Sequence, residues 1–348
     1  MGMKRSANVE LLRFMAALLI MGRHIYHIGI LDHPFYDCWI YVEFFLLITG
    51  YFTARHFDHH VSEDKAAAAV KYTVKKFLPI VPYAVIASVL AWVTQGVYGL
   101  LFENWSMESF IDNFLGDFVF DLLLISGSYT RPLIAPLWYV SAMLIVFPLF
   151  ALFVQLKNRY LRLILCTFVP IMYFGWVGVS GKRDFPHDML RVFVGMMLGV
   201  VIYEITVQGK KVFESMNKLV LTVIEVLSII FPIYACYNNW AGKGFTSARL
   251  YLLCFFVTLT LSLSGATYTS GIRGNVITYL GRLSMPLYVI HWYIGTLVND
   301  ADSVLSLSDP ICIALYYPAS IIAAMIFMAI IGRWKWFNNI LRMVVYEK

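Results

Sequence analysis

The stretch Asn8-Val9-Glu10-Leu11-Leu12-Arg13-Phe14-Met15-Ala16-Ala17-Leu18-Leu19-Ile20-Met21-Gly22-Arg23-His24-Ile25-Tyr26-His27 decides the class of this chain. It is apolar over the length needed to cross a bilayer, yet it carries an arginine and a histidine eleven positions apart. A charge in hydrocarbon is costly and marks function unless the side chain snorkels to an interface. Eleven helical steps make about three turns, so Arg13 and His24 leave one face, roughly 16 Å apart along the axis.

The rest of the chain continues this pattern. Of its 348 residues 60% are hydrophobic and 14% charged, where soluble domains carry about 25% charged residues. Apolar runs recur at 9–30, 35–55, 77–98, 136–156, 161–179, 189–207, 219–238, 249–268, 276–297 and 311–332. The expected fold is an all-α polytopic membrane protein, about ten transmembrane helices in one bundle. One domain is expected over 1–348, with no attached soluble domain, because no connecting segment is long enough to form one.

An even number of spans places both termini on one side. With a cytoplasmic N-terminus, eighteen of the 27 Lys and Arg fall in inner segments, six in outer segments and three within spans. The positive-inside rule therefore predicts cytoplasmic termini and a multi-pass protein of the cell (inner or plasma) membrane. The net charge of +6 is mostly this topology signal, and no nucleic-acid partner is read from it. Cys38, Cys166, Cys236, Cys254 and Cys312 are odd in number, widely spaced and without a Cys-x-x-Cys, so neither a disulfide framework nor a metal site is expected. In the outer segment 99–135, the acids between Asp112 and Ile125 alternate with apolar residues and suggest an interfacial or re-entrant helix.

Four stretches could carry chemistry. In the first, His24 titrates near neutrality and can take a proton from a hydroxyl, while Arg13 stays charged and can fork onto phosphate oxygens. Glu10 is placed to pair with Arg13 at i,i+3. The plain alternative is a snorkelling arginine and a histidine bonded to a neighbouring helix. In the second, Glu43 lies about eight residues below the outer end of its span and His24 about six below the same surface. A carboxylate at that depth could orient the imidazole, as in triad logic. Thr49 and Gly50 in the same span suit close helix packing.

The third stretch is Leu137-Trp138-Tyr139-Val140-Ser141, either an aromatic belt or a stacking surface for a sugar ring or adenine. The fourth runs from Gly281 to His291 and includes Arg282, Ser284 and Tyr288. It repeats the polarity of the first span, with a cation inside and an imidazole further out.

Together these stretches resemble acyltransferase family 3 of membrane acyltransferases, over essentially the whole chain. Arg13 and His24 match the family's Arg-x10-His. Glu43, Phe45, Leu46, Thr49, Gly50 and Tyr51 fall on its acid-x-Phe-Phe-x-x-Ser-Gly-Phe, with Leu46 for the second Phe and Thr49 for Ser. Leu137 to Tyr139 match a mid-chain Leu-Trp-Tyr, and Ser284, Tyr288 and His291 match a closing Ser-x-x-x-Tyr-x-x-His. Where many members carry Arg-x-x-Arg, this chain has Lys76-Phe-Leu-Pro79, which keeps only the first cation.

The resemblance implies transfer of an acyl group, usually acetyl, from cytoplasmic acyl-CoA to a hydroxyl of a surface or exported polysaccharide or its lipid-linked precursor. It implies His24 and Glu43 as catalytic residues. Arg13, Arg282 and Lys76 would hold the acyl-CoA phosphates. Trp138, Tyr139, Tyr288 and His291 would meet substrate. Acetyl-CoA is a co-substrate, with no metal. The implied partners are a carbohydrate acceptor and membrane lipids, with a second copy or a glycan-assembly complex as the wider setting. The alternative is a polytopic transporter or exporter of a glycan or precursor, since intramembrane Glu, Arg and His also mark proton-coupled pathways.

Overall fold

The computed structural model describes residues 6–30, 34–102, 105–113, 118–125, 133–180, 187–240, 245–341 and 343. The expected cytoplasmic termini thus end in residues outside those described. In chain order the helices are α1 (Ala7–Arg23), α2 (Tyr41–His59), α3 (Lys65–Phe77), α4 (Val81–Phe102), α5 (Met107–Asn113), α6 (Val119–Leu122), α7 (Leu137–Val154) and α8 (Arg159–Ser180). They continue as α9 (His187–Gln208), α10 (Lys210–Ser215), α11 (Lys218–Tyr237), α12 (Phe245–Ser264), α13 (Asn275–Leu305), α14 (Asp309–Arg333) and α15 (Lys335–Leu341). Short 3₁₀ turns occupy His24–Ile28, Tyr36–Ile40 and Thr269–Gly271. No strand occurs among the described residues. The protein is an all-α polytopic membrane protein.

Seven helices are long and apolar enough to cross a bilayer: α1 with its 3₁₀ continuation, α4, α7, α8, α9, α11 and α14. The three remaining apolar runs of the sequence are helical too, as α2, α13 and the shorter apolar stretch Arg249–Ser264 of α12. Two of these three, α2 and α13, carry Glu43 and the Arg282–His291 motif, so polar site residues dilute their apolarity. The interfacial helix expected between 112 and 125 is represented by α6 and the end of α5, and 114–117 lie outside the described residues. Asp121 of α6 is buried, and its carboxylate accepts from the Leu133 amide at 2.8 Å.

The described residues group into two compact units. Unit one comprises Met1–Arg23, Pro34–Ala68 and Leu149–Ser284; unit two comprises His24–His33, Ala69–Pro148 and Met285–Lys348.

Unit one is organised by backbone-close packing of α2 on α9. A side chain at Gly50 would collide with the Met196 carbonyl oxygen, and one at Gly199 with the Leu47 carbonyl oxygen. Gly195 and Gly199 form a small-xxx-small pair, which lets helices approach where lipid offers no hydrophobic drive. The close-packing expectation at Gly50 holds. Its partner stripe on α9 could not be read from α2 alone. Further along α9, Glu204 receives Arg162 at 2.8 Å and also pairs with Arg159, while Tyr203 donates to Asp58 at 2.6 Å.

In unit two, Tyr288 of α13 is buried and its hydroxyl donates to the Pro136 carbonyl at 3.0 Å, just before α7 begins. Gly295 allows a tight turn-to-helix contact, since an added Cβ there would sit 3.1 Å from the His27 ring.

Candidate active site

The first span does not continue as α-helix through His24. It changes to a 3₁₀ turn after Arg23, which removes the uniform 100° step on which the same-face expectation for Arg13 and His24 rests. The change also separates the two residues between units: Arg13 belongs to unit one and His24 to unit two.

In unit two, His24 meets His291. Their rings stack with centroids 5.0 Å apart, and Nδ1 of His24 lies 2.8 Å from Nε2 of His291. The other nitrogen of His291, Nδ1, lies 3.1 Å from the Leu287 carbonyl oxygen. A carbonyl only accepts, so Nδ1 of His291 carries a proton. In the neutral ring Nε2 of His291 is then a lone pair, and it accepts from Nδ1–H of His24. The neutral His24 ring is thereby held in the tautomer whose basic lone pair is on Nε2. His291 is fully buried and His24 half-buried, which suits an orienting group behind a reacting one.

Aromatic rings frame this pair. Trp292 meets His24 edge-on at 5.1 Å and stacks on His27 at 3.8 Å. His27 Nε2 is 3.0 Å from the Thr296 hydroxyl. Tyr288 lies 6.0 Å from His291, Tyr139 lies 5.9 Å from Tyr288, and Trp138 lies 6.1 Å from Tyr139. Four residues that the sequence marks for substrate contact, Trp138, Tyr139, Tyr288 and His291, therefore form one ring-to-ring series that ends at His24. Lys76 also belongs to this unit, with its ammonium 5.0 Å from the Phe147 ring.

Unit one holds the charged candidates. Nη1 of Arg13 donates to both oxygens of Glu10 at 3.2 Å, as the i,i+3 spacing predicts. Gly281 lies against Glu10, whose carboxylate fills the space a Cβ would occupy. This contact brings the start of α13, with the exposed Arg282, to the Arg13–Glu10 pair. Ser284 is buried and donates to the Gly281 carbonyl at 2.7 Å. Arg13 and Arg282 are the cations on these two neighbouring helix segments, and guanidinium groups are the donors that fit phosphate oxygens.

Glu43 is buried at 2% exposure, and its Oε1 accepts from Nε of Arg191 at 2.5 Å. The Arg191 guanidinium also lies 5.3 Å over the Trp39 ring. Depth matching predicts a Glu43–His24 pair. Within its own unit Glu43 is engaged by Arg191, and the His24 nitrogen that needs orienting is engaged by His291. Arg191 lies in α9, one helical turn from its start. The Glu43–Arg191 pair borders a cavity of about 230 Å³ that Trp39, Tyr173, His187 and Asp188 also line.

Sequence reasoning missed three contributors: Arg191, Trp292 and the Leu287 carbonyl. Leu287 precedes His291 by one helical turn, so i−4 spacing was the available signal. Among the described residues no group of His, Cys, Asp and Glu could hold a metal ion.

A family model described as "Acyltransferase domain" matches residues 6–333, and the chain belongs to acyltransferase family 3. No curated protein and no solved structure matches it.

Proposed function

We propose that this acyltransferase moves an acyl group, acetyl, from cytoplasmic acyl-CoA to a hydroxyl of a surface or exported polysaccharide or its lipid-linked precursor. The observation that carries the chemistry is the relay from His24 through His291 to the Leu287 carbonyl. His24 Nε2 takes the proton of the acceptor hydroxyl as its oxygen attacks the thioester carbonyl carbon. The carbon–oxygen bond forms, the carbon–sulfur bond breaks, and His24 returns the proton to the departing thiolate. His291 accepts from His24 Nδ1–H throughout and stabilises the imidazolium without leaving its place. Glu43 acts through Arg191 and the α2–α9 packing. Arg13 and Arg282 receive phosphates, with Glu10 yielding Arg13 to them, and Lys76 adds a further cation. Trp138, Tyr139 and Tyr288 stack on the acceptor ring.

The test is acetyl transfer from radiolabelled acetyl-CoA by purified protein, alone and with acceptor glycan. Consumption by wild type and its loss in His24→Ala, with membrane insertion unchanged, supports the reading. Glycan movement without acetyl transfer would instead favour the exporter alternative.

A further inference from the structure

Cys38 and Cys236 are far apart in the chain, and their spacing carries no pairing signal. Unit one brings them together. The Phe35 amide donates to the Cys236 carbonyl at 3.3 Å, and the Cys38 amide donates to the Phe35 carbonyl at 3.0 Å. Cys38 sits in the Tyr36–Ile40 3₁₀ turn, where residues three apart eclipse one another. It therefore stands over the residue tied to Cys236. The two thiols face one another as hydrogen-bond partners, and both are 0% exposed.

We propose that Cys38 and Cys236 are a disulfide-forming site, oxidised on the outer side of the membrane while the chain folds. The positive-inside bias puts the ends of both segments, before α2 and after α11, on the extracytoplasmic side. That side is the oxidising one. The thiolate of one cysteine attacks the disulfide of an extracytoplasmic thiol–disulfide oxidant, forms a mixed disulfide and releases one oxidant thiol. The second cysteine thiolate then displaces the other oxidant sulfur. The two cysteines give up two electrons and two protons, and the oxidant's disulfide takes up both. Because both sulfurs are buried in the finished structure, the exchange precedes final packing, and packing then shields the bond from reductant. The bond would clamp the entry of α2, which carries Glu43, to the exit of α11. All five cysteines are free thiols in this structure, and oxidation of Cys38 with Cys236 would leave Cys166, Cys254 and Cys312 as thiols.

The experiment uses full-length protein in membranes, quenched in acid, denatured and labelled with maleimide-polyethylene glycol before and after reduction. Of the five cysteines, three should label without reductant and all five with it. Cys38→Ser and Cys236→Ser should each leave four labelled thiols whether or not reductant is present. Mass spectrometry of unreduced wild-type digest should show the peptides containing Cys38 and Cys236 linked. Five labelled thiols in unreduced wild type, or a linked pair other than these two, overturns the proposal. If neither serine variant accumulates in the membrane, the wild-type label count and peptide map decide it alone.

Discussion

Unit one and unit two treat polar groups in opposite ways. In unit one, buried or half-buried cations meet carboxylates: Arg13 with Glu10, Arg191 with Glu43, and Arg162 with Glu204. In unit two, the polar groups around His24 are rings and hydroxyls that bond to one another and to backbone carbonyls, with His291 anchored on Leu287 and Tyr288 on Pro136. The contrast separates two tasks. Ion pairs hold charge and shape in a medium where an unpaired charge is costly. Neutral rings with assigned tautomers can pass a proton without building a permanent charge beside the reacting atoms.

Six substitutions at five positions would break or sharpen that contrast. The largest effect is expected at the proposed base: His24→Ala should lower acyl transfer by about a thousandfold. A variant with wild-type turnover would remove unit two from the chemistry. Next, Arg191→Ala leaves the Glu43 carboxylate buried without its partner and should cost about 3–5 kcal/mol of stability. Thermal unfolding in detergent measures this, and an unchanged midpoint would show that the pair is not structural.

The orienting role of His291 should be smaller and separable. His291→Ala should lower kcat by about a hundredfold with little change in KM. His291→Gln, which can still accept from His24 Nδ1–H, should recover part of that loss. Equal damage from both would assign His291 to packing alone. The smallest effect concerns the helix seam. Gly199→Ala forces α2 and α9 apart and should destabilise by about 1–3 kcal/mol. Gly175→Ala, where nothing lies within 4 Å of an added Cβ, should not. Equal stability of the two variants would deny the seam its role.

Much of the site is visible in the linear chain because the Glu10–Arg13, Leu137–Tyr139 and Ser284–His291 stretches each keep to one helix. The Arg13–Glu10 pair follows from i,i+3 spacing, and the Leu137–Tyr139 and Ser284–His291 motifs were marked before their contacts were known. Partner choice was not visible. Glu43 and His24 share a depth, and depth was the only information that relates two helices in a sequence. Rotation about each helix axis and the neighbour it faces were needed as well. Within unit one Glu43 meets Arg191, and within unit two His24 meets His291. The 3₁₀ turn after Arg23 adds to this, since an apolar run does not distinguish 3.6 residues per turn from 3.0.

By itself the sequence determined that this is a helical membrane protein of the acyltransferase family type, and which residues are too polar for their surroundings to be idle. Composition and periodicity suffice for the helical membrane class, because bilayer crossing is a property of local segments, whereas the family rests on the resemblance carried by four motifs. The tertiary structure alone decided which imidazole lies against His24, which cation meets Glu43, and that Cys38 meets Cys236. Each depends on contacts between segments distant in the chain, which no single segment encodes.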